Sequence, residues 1–446
     1  MLLHHYRYAN TAKSVYTLQT SFVDIDSILQ PFQHFGVNLG LSRIVKLLAN
    51  LGNPHDRISV IHVAGTNGKG SVCAYLSSVL TEAGYRTGRY ISPHLVDWTE
   101  RICINEQPIS SEELSQLLQK VQAAVSGDDE YPTQFEIITA AAWLYFAQQQ
   151  VDIAVIEVGL GGRLDATNVC SEPLVTVITS ISREHWQQLG PTVADIAREK
   201  AGILKPGCPV VVGRLPSDAE KVVRSHAQEL QCPIFTPQPA RQISPGWAEY
   251  HTLQYPLPLQ GQIQLTNSAL ALATLEILQQ QGWQIPTSAI INGMAKTKWP
   301  GRMQWLTWNN HKILIDGAHN PAAAQVLRDY VDSLLNNFSD KSISQHSVTW
   351  IIGMLSTKEH KEIFQALLKT GDKLYLVPVP DNISANPLEL ANIANNICPE
   401  LSLCHTCDDL SSALELAFTE PDNLVVLCGS LYLIGHFLGS FDYQHS

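Results

Sequence analysis

The chain has 446 residues, 45% of them hydrophobic, enough for two or three domains with sizeable cores, and overall disorder is excluded. Its 29 basic and 41 acidic residues give a formal charge of −12, so neither nucleic acid nor an acidic membrane is expected as a partner, and an anionic substrate must be held by a local device. No apolar run reaches the ~18 residues of a membrane span, no secretory signal is read in residues 1–16, and nine scattered cysteines suit a reducing, cytoplasmic setting.

Residues 1–56 read as mostly helical after a loose start. Leu41, Ile44, Val45, Leu47, Leu48 and Leu51 recur at helical spacing, and Gly52-Asn53-Pro54 stops the run. A buried strand over 58–64 then leads into a glycine-rich loop, 65–71, and a helix over 72–83 that Gly84 ends. Helices are expected at 112–125 and 135–150, separated by an acidic break at 126–130. They are followed by strands at 151–158 and 175–181, a helix at 193–201 and a strand at 209–213. Residues 214–262 are rich in proline and weakly periodic; a helix follows at 268–281. Lys296, Lys298 and the Trp299-Pro300-Gly301 turn mark a boundary that divides the chain into 1–295 and 296–446. Beyond it, strands at 313–315, 348–352, 374–377 and 424–427 alternate with helices at 321–335, 359–369, 387–396 and 431–439. This alternation predicts an α/β fold: a larger phosphate-loop domain on a mostly parallel sheet, then a smaller Rossmann-like α/β domain.

The sharpest motif is Gly65-Thr66-Asn67-Gly68-Lys69-Gly70-Ser71, set between the strand and the helix. Glycines let backbone N–H groups wrap phosphate oxygens, the helix N-terminus adds positive potential, and a lysine between glycines reaches the terminal phosphates. The match to the Walker A pattern is imperfect: Val63 stands where the first glycine would be, and Gly70 where the metal-binding hydroxyl would be. Glu157 ends the apolar strand and precedes Gly159-Leu160-Gly161-Gly162-Arg163-Leu164-Asp165. A strand-end acid beside a phosphate loop suits Mg²⁺, although such a glutamate alone is more often a solvated charge or a cap. His185 and Lys200, taken singly, read as structural or surface residues. Arg302 at the hinge is placed to reach phosphates across a cleft, while Asp316-Gly317-Ala318-His319-Asn320-Pro321 has turn chemistry at a strand end. Asn267 stands before the Ala/Leu-rich helix. Cys404-His405-Thr406-Cys407 lacks a second ligand pair and reads as ordinary thiols.

Together these motifs resemble the folylpolyglutamate synthase and dihydrofolate synthase family, relatives of the Mur peptide ligases. The resemblance runs from about Gly36 to Phe437. It includes Ser92-Pro93-His94-Leu95, Thr99-Glu100-Arg101-Ile102, Phe135-Glu136, Glu199-Lys200-Ala201-Gly202-Ile203 and Cys428-Gly429-Ser430. It implies an ATP-dependent ligase in which the carboxylate of dihydropteroate, and of tetrahydrofolate, is phosphorylated by ATP and then joined to L-glutamate. By motif match Gly65, Thr66, Asn67, Gly68, Lys69, Gly70 and Ser71 cradle the phosphates, and Asn267, Arg302 and Asp316 complete the ATP site. Lys69, His185 and Lys200 are the implied catalytic residues, Lys200 matching a lysine that the family carbamylates. Ser92 and Glu157 are implied ligands of one Mg²⁺, His185 and Glu157 of a second. Phe135, Arg163 and Asp165 fall at the pterin end, His319 and Ser430 at the glutamate end. A monomer is expected. The family usually has Asp-His-Thr around His185, whereas this chain has Glu184-His185-Trp186, a change expected to reshape the surroundings of the second metal. A monofunctional synthase of either kind, a Mur-like or cyanophycin-like ligase for another carboxylate, and a non-catalytic nucleotide-binding regulator remain the alternatives.

Overall fold

The computed structural model describes residues 24–35, 38–126, 130–337, 347–419, 424–440 and 444–445. The loose start of the chain and most of the acidic break at 126–130 lie outside them. The first sheet contains β1 (Ser59–Ala64), β2 (Thr87–Tyr90), β3 (Ile102–Ile104), β4 (Gln107–Pro108), β5 (Ile153–Glu157), β6 (Val175–Ile178), β7 (Val210–Val212) and β8 (Ile234–Phe235), in the spatial order β4-β3-β2-β5-β1-β6-β7-β8. From β2 to β8 every pairing is parallel, and β3 and β4 add an antiparallel edge. Apart from half-buried Ser59, β1 is buried along its length, because side chains of both parities meet apolar layers.

The helix Lys69–Glu82 follows β1 and has no solvent face: Ser71 to Leu80 are all buried. It is enclosed by the sheet, by the helix Ile263–Gln280 and by the helix Thr287–Lys296. Its weak amphipathicity in sequence has this cause. The helix expected at 268–281 starts earlier, at Ile263, so Asn267 lies inside it rather than before it. Gln264 and Asn267 look like loop residues, but both are buried and hydrogen-bonded to each other. The weakly periodic stretch holds a helix, Ser217–Glu229, and an antiparallel three-stranded sheet: β9 (Arg241–Ser244), β10 (Trp247–Tyr250) and β11 (Leu253–Pro256).

The second sheet begins after the hinge. It contains β12 (Gln304–Trp308), β13 (His311–Ile315), β14 (Val348–Ile352), β15 (Lys373–Leu376), β16 (Leu403–Thr406), β17 (Leu424–Cys428) and β18 (Gln444–His445), ordered β16-β15-β14-β17-β13-β12-β18. Its parallel body runs from β16 to β13, with β12 and β18 antiparallel at the edge. Alternate residues of β13 and β17 enter the two cores that cover its faces. Cys404 packs against one of these cores and Cys407 lies in the other, so the two thiols do not converge. All nine cysteines are free. Among the described residues no helix is long and apolar enough to cross a membrane.

At one point the two domains meet backbone to backbone. A Cβ on Gly435, in the helix Leu431–Ser440 of the second domain, would lie 1.8 Å from the Leu95 carbonyl oxygen of the first. Within the first domain, a Cβ on Gly293 would lie 2.4 Å from the Val79 Cα, and the Ser78 hydroxyl donates to the Gly293 carbonyl at 2.7 Å. Gly293→Ala is therefore expected to push the two helices apart and cost about 1–3 kcal/mol, the usual range for overpacking. A fall in the thermal unfolding midpoint checks this; an unchanged midpoint would show that the helices shift freely.

Candidate active site

The carboxyl ends of β1, β5 and β6 in one sheet, and of β13, β14 and β17 in the other, open on a single cleft of about 510 Å³. This is where parallel α/β sheets bind ligands. The phosphate loop leaves β1 and is bonded to the end of β6. Thr66 N–H donates to the Ser180 carbonyl at 2.7 Å, Asn67 N–H to the Ser180 hydroxyl at 3.0 Å, and the Thr179 hydroxyl to the Asn67 carbonyl at 2.7 Å. Gly65 allows this approach, since a Cβ there would sit 1.9 Å from Thr179 Oγ1. Gly68, at φ 87°, starts the following helix, and no side chain caps it. Its first N–H groups thus face the cleft as an anion site.

The missing hydroxyl at Gly70 has a steric cause. The Trp299 ring lies over this glycine, and a Cβ would come within 2.2 Å of it. Arg89 lies over the Trp299 ring, with its guanidinium carbon 5.6 Å from the ring centroid, and is itself paired with Glu106. Sequence reasoning took Trp299 only as part of a turn.

Lys69 Nζ donates to the Thr66 carbonyl at 3.2 Å and stands 3.8 Å from Glu157 Oε1. Burial raises the Glu157 carboxyl above its usual range, against the pull of Lys69 and Arg302. Glu157 Oε2 accepts from Ser92 N–H at 3.4 Å, while the buried Ser92 hydroxyl has no protein partner among the described residues. An orphaned hydroxyl beside a strand-end carboxylate, facing a phosphate loop, fits Mg²⁺, which takes few protein oxygens and completes its shell with phosphate and water. The described residues contain no cluster of three His, Cys, Asp or Glu able to hold a metal on its own. His185, at φ 51°, lines the cleft, and burial lowers its ring pKa to about 4, leaving the imidazole neutral as a ligand must be. Lys200 is buried and donates to the Gly65 carbonyl at 2.8 Å. Burial, assisted by the Lys69 charge, lowers its amine to about 7.

The second domain faces this set with Arg302, Asp316, His319, Lys358 and Ser430. Asp316 is already engaged: Met303 N–H and Ala318 N–H donate to its two oxygens at 2.9 and 2.8 Å. Burial raises its carboxyl, opposed first by Arg302. The Ser430 hydroxyl accepts from Tyr432 N–H at 3.1 Å at the start of the last long helix. His319 Nε2 is 3.0 Å from Glu184 Oε1, and Lys358 Nζ is 3.4 Å from the same oxygen. Burial would raise the Glu184 carboxyl, but His319 and Lys358 hold it well below the usual range. Neither Glu184 nor Lys358 was singled out as a contact from sequence; only the departure at Glu184 gave a signal.

The three residues assigned to the pterin end do not line the cleft. Asp165 is buried and ties its own loop, accepting from Leu160 N–H at 2.7 Å and from the Thr167 hydroxyl at 2.5 Å. Arg163 points outward and pairs with Glu199 at 2.9 Å. Phe135 stands behind the cleft wall, its ring 2.4 Å from where a Gly159 Cβ would lie.

Two α/β sheets offering their carboxyl ends to one cleft, with a phosphate loop on one side and Arg302 and Lys358 on the other, define an ATP-dependent ligase of the Mur type. The family model described as "Mur ligase middle domain" matches residues 63–275, and that described as "Dihydrofolate synthetase, C-terminal domain" matches residues 302–440. The "Probable dihydrofolate synthetase" of Schizosaccharomyces pombe is 36% identical over 420 residues, 90% of this chain and 97% of that protein. The "Dihydrofolate synthase/folylpolyglutamate synthase" of Bacillus subtilis is 35% identical over 436 residues, 93% and 98%. The solved folylpolyglutamate synthase of Mycobacterium tuberculosis, complexed with ADP and AMPPCP, superposes with a TM-score of 0.81 at 30% identity, covering 94% of this chain and 99% of that one. The chain belongs to the folylpolyglutamate synthase and dihydrofolate synthase family.

Gly70→Ser would restore the usual phosphate-loop hydroxyl but drive it into Trp299. ATP affinity is expected to fall at least about tenfold, within the cost of overpacking, and adding Trp299→Ala should return part of it. Nucleotide titration by calorimetry reads both; normal affinity in the single variant would mean that the ring moves aside at no cost.

Proposed function

We propose that this ligase joins L-glutamate to the carboxylate of dihydropteroate and, in a second use of the same cleft, to tetrahydrofolate. The observation that carries the reading is the placement of Lys69 and Glu157 on one wall, opposite His319 and Ser430 on the other. The pterin substrate's carboxylate oxygen attacks the γ-phosphorus, and the bond to ADP breaks. The amine of glutamate then attacks the acyl carbon, loses a proton, and inorganic phosphate leaves. A carboxylate is a poor electrophile, and phosphorylation supplies its leaving group. Lys69 and the loop N–H groups hold the phosphate oxygens as charge moves onto the departing ADP. Asn267, Arg302 and Asp316 orient the nucleotide, His319 and Ser430 receive glutamate, and Phe135 and Asp165 shape the pterin end from behind the cleft, whereas the outward-pointing Arg163 takes no part. Ser92, Glu157 and His185 would hold one or two Mg²⁺ ions. When bound, Mg²⁺ supplies further charge neutralisation on the phosphates.

With the division at 295/296, the phosphate loop and Asn267 lie in the first part, and the second part adds Arg302 and Asp316 to the nucleotide site and presents glutamate. Both walls of the cleft come from one chain, which supports a working monomer, and nine free thiols support a cytoplasmic setting. Lys200 is the second element of the proposal. An amine lowered to about 7 is substantially unprotonated at neutral pH. Its lone pair can add to CO₂ and release a proton, giving a carbamate. The change puts an anion near Lys69 in place of a neutral amine.

Two measurements test these readings. Phosphate release from ATP should depend on L-glutamate with both dihydropteroate and tetrahydrofolate, each product gaining one glutamate by mass. Release with one alone assigns a single activity, and release with neither refutes the substrate assignment. In ¹³C-bicarbonate at pH 8, the wild type should show a lysine carbamate resonance that Lys200→Arg lacks; its absence from the wild type removes carbamylation from the mechanism.

A further inference from the structure

Two consecutive residues of the second domain reach across the cleft to two different loops of the first. Asn320 and Asn67 exchange side-chain amide bonds: Asn67 Nδ2 donates to Asn320 Oδ1 at 3.2 Å, and Asn320 Nδ2 to Asn67 Oδ1 at 3.0 Å. Asn320 is fully buried, and its Oδ1 also accepts from Ala323 N–H at 2.9 Å, capping the helix Pro321–Asn337. His319, one residue earlier, is held between the Gly317 carbonyl at 2.7 Å on Nδ1 and Glu184 Oε1 at 3.0 Å on Nε2. Lys358, from the loop after β14, donates to the same Glu184 oxygen at 3.4 Å. The phosphate loop and the loop that carries His185 are therefore both fastened to one turn of the opposite domain.

The reach of these contacts is specific to the side chains present. Aspartate at 184 would be shorter by one C–C bond, ~1.5 Å, too much for either contact to survive without movement of the loop. Asn67 has its backbone N–H and carbonyl occupied by Ser180 and Thr179, so its side chain alone is available to meet the second domain.

We propose that Glu184 and Asn320 are positioning residues that form a two-point clasp. The clasp holds the second domain in register over the phosphate loop while the acyl phosphate exists, so that glutamate rather than water reaches the acyl carbon. The proposal rests on the acyl-phosphate reading given above. An open cleft would admit water, which attacks the acyl phosphate, regenerates the carboxylate and releases phosphate without ligation.

Asn320→Ser keeps an N-cap oxygen for the helix but removes the exchange with Asn67. Glu184→Asp keeps the charge and loses the reach. In each variant the phosphate released per glutamate joined is expected to rise about tenfold, the factor equivalent to ~1.4 kcal/mol. Small-angle scattering of the substrate-free protein should show a larger radius of gyration. Glu184→Gln, which keeps the oxygen that His319 meets, should fall between wild type and Glu184→Asp. A purely structural role would lower the melting temperature and the rate and leave the ratio at its wild-type value; that result overturns the clasp. If the wild type shows no glutamate-dependent phosphate release, the acyl-phosphate reading fails instead. Scattering then decides whether the clasp holds the domains together, an unchanged radius overturning it.

Discussion

The backbone of Asn67 is taken on both sides by the end of β6, its N–H by Ser180 and its carbonyl by Thr179 and Ser180. A glycine-rich loop is costly to order, because glycine has the most conformational freedom to lose. These bonds supply rigidity that the loop's own sequence lacks. Once the loop is fixed, the N-terminus of the helix behind it points at one place in the cleft. Lys69 then projects toward Glu157, and Lys200 finds the Gly65 carbonyl. Thr179 can come so close only because position 65 has no side chain.

The charges around the loop are arranged for a polyanion. Burial raises Glu157 and Asp316 and lowers His185 and Lys200, so each of the four is shifted toward its neutral form. Glu184 is the exception: against the effect of burial, its contacts with His319 and Lys358 of the other domain lower its carboxyl well below the usual range. Lys69, Arg302 and Lys358 are the cations that face the same cleft. That suits a cleft whose ligands bring their own charges and exchange them during a reaction. The overall charge of −12 does not oppose this, because the anion site is built from backbone N–H groups and a few enclosed cations.

Much of this was legible in the chain because its chemistry is local. Strand, glycine loop and helix follow one another within 25 residues or so, and the acid at the end of β5 is adjacent to its own turn. The helix at 193–201 and the core strands of both sheets were equally plain, since parallel strands buried on two faces read as continuous apolar runs. Three things were not. The start of the helix Ile263–Gln280 was hidden because Gln264 and Asn267 are polar residues packed against the phosphate loop. The strands β9 to β11 are short, and half their residues face solvent. The contact of Asn67 with Asn320 spans 253 positions and leaves no local pattern. The turn 316–321 was recognised as turn chemistry and as a family motif, but which loops it grips depends on how two separately folded sheets face each other.

The approach of Gly435 to the Leu95 carbonyl bears on how those sheets could move. Backbone meets backbone there, with no flexible side chain between to absorb displacement. Were the second domain to rotate, such a contact would act as a fulcrum. The loop 92–97 lies under it, and Ser92, at one end of that loop, borders the cleft. Rotation of the second domain about this point would barely shift the loop but would sweep the turn 316–321 through an arc that grows with its distance from the pivot. On that geometry the separation of the two cleft walls would change more than the contact at the glycine itself, while the Ser92 end would keep its place on the first wall.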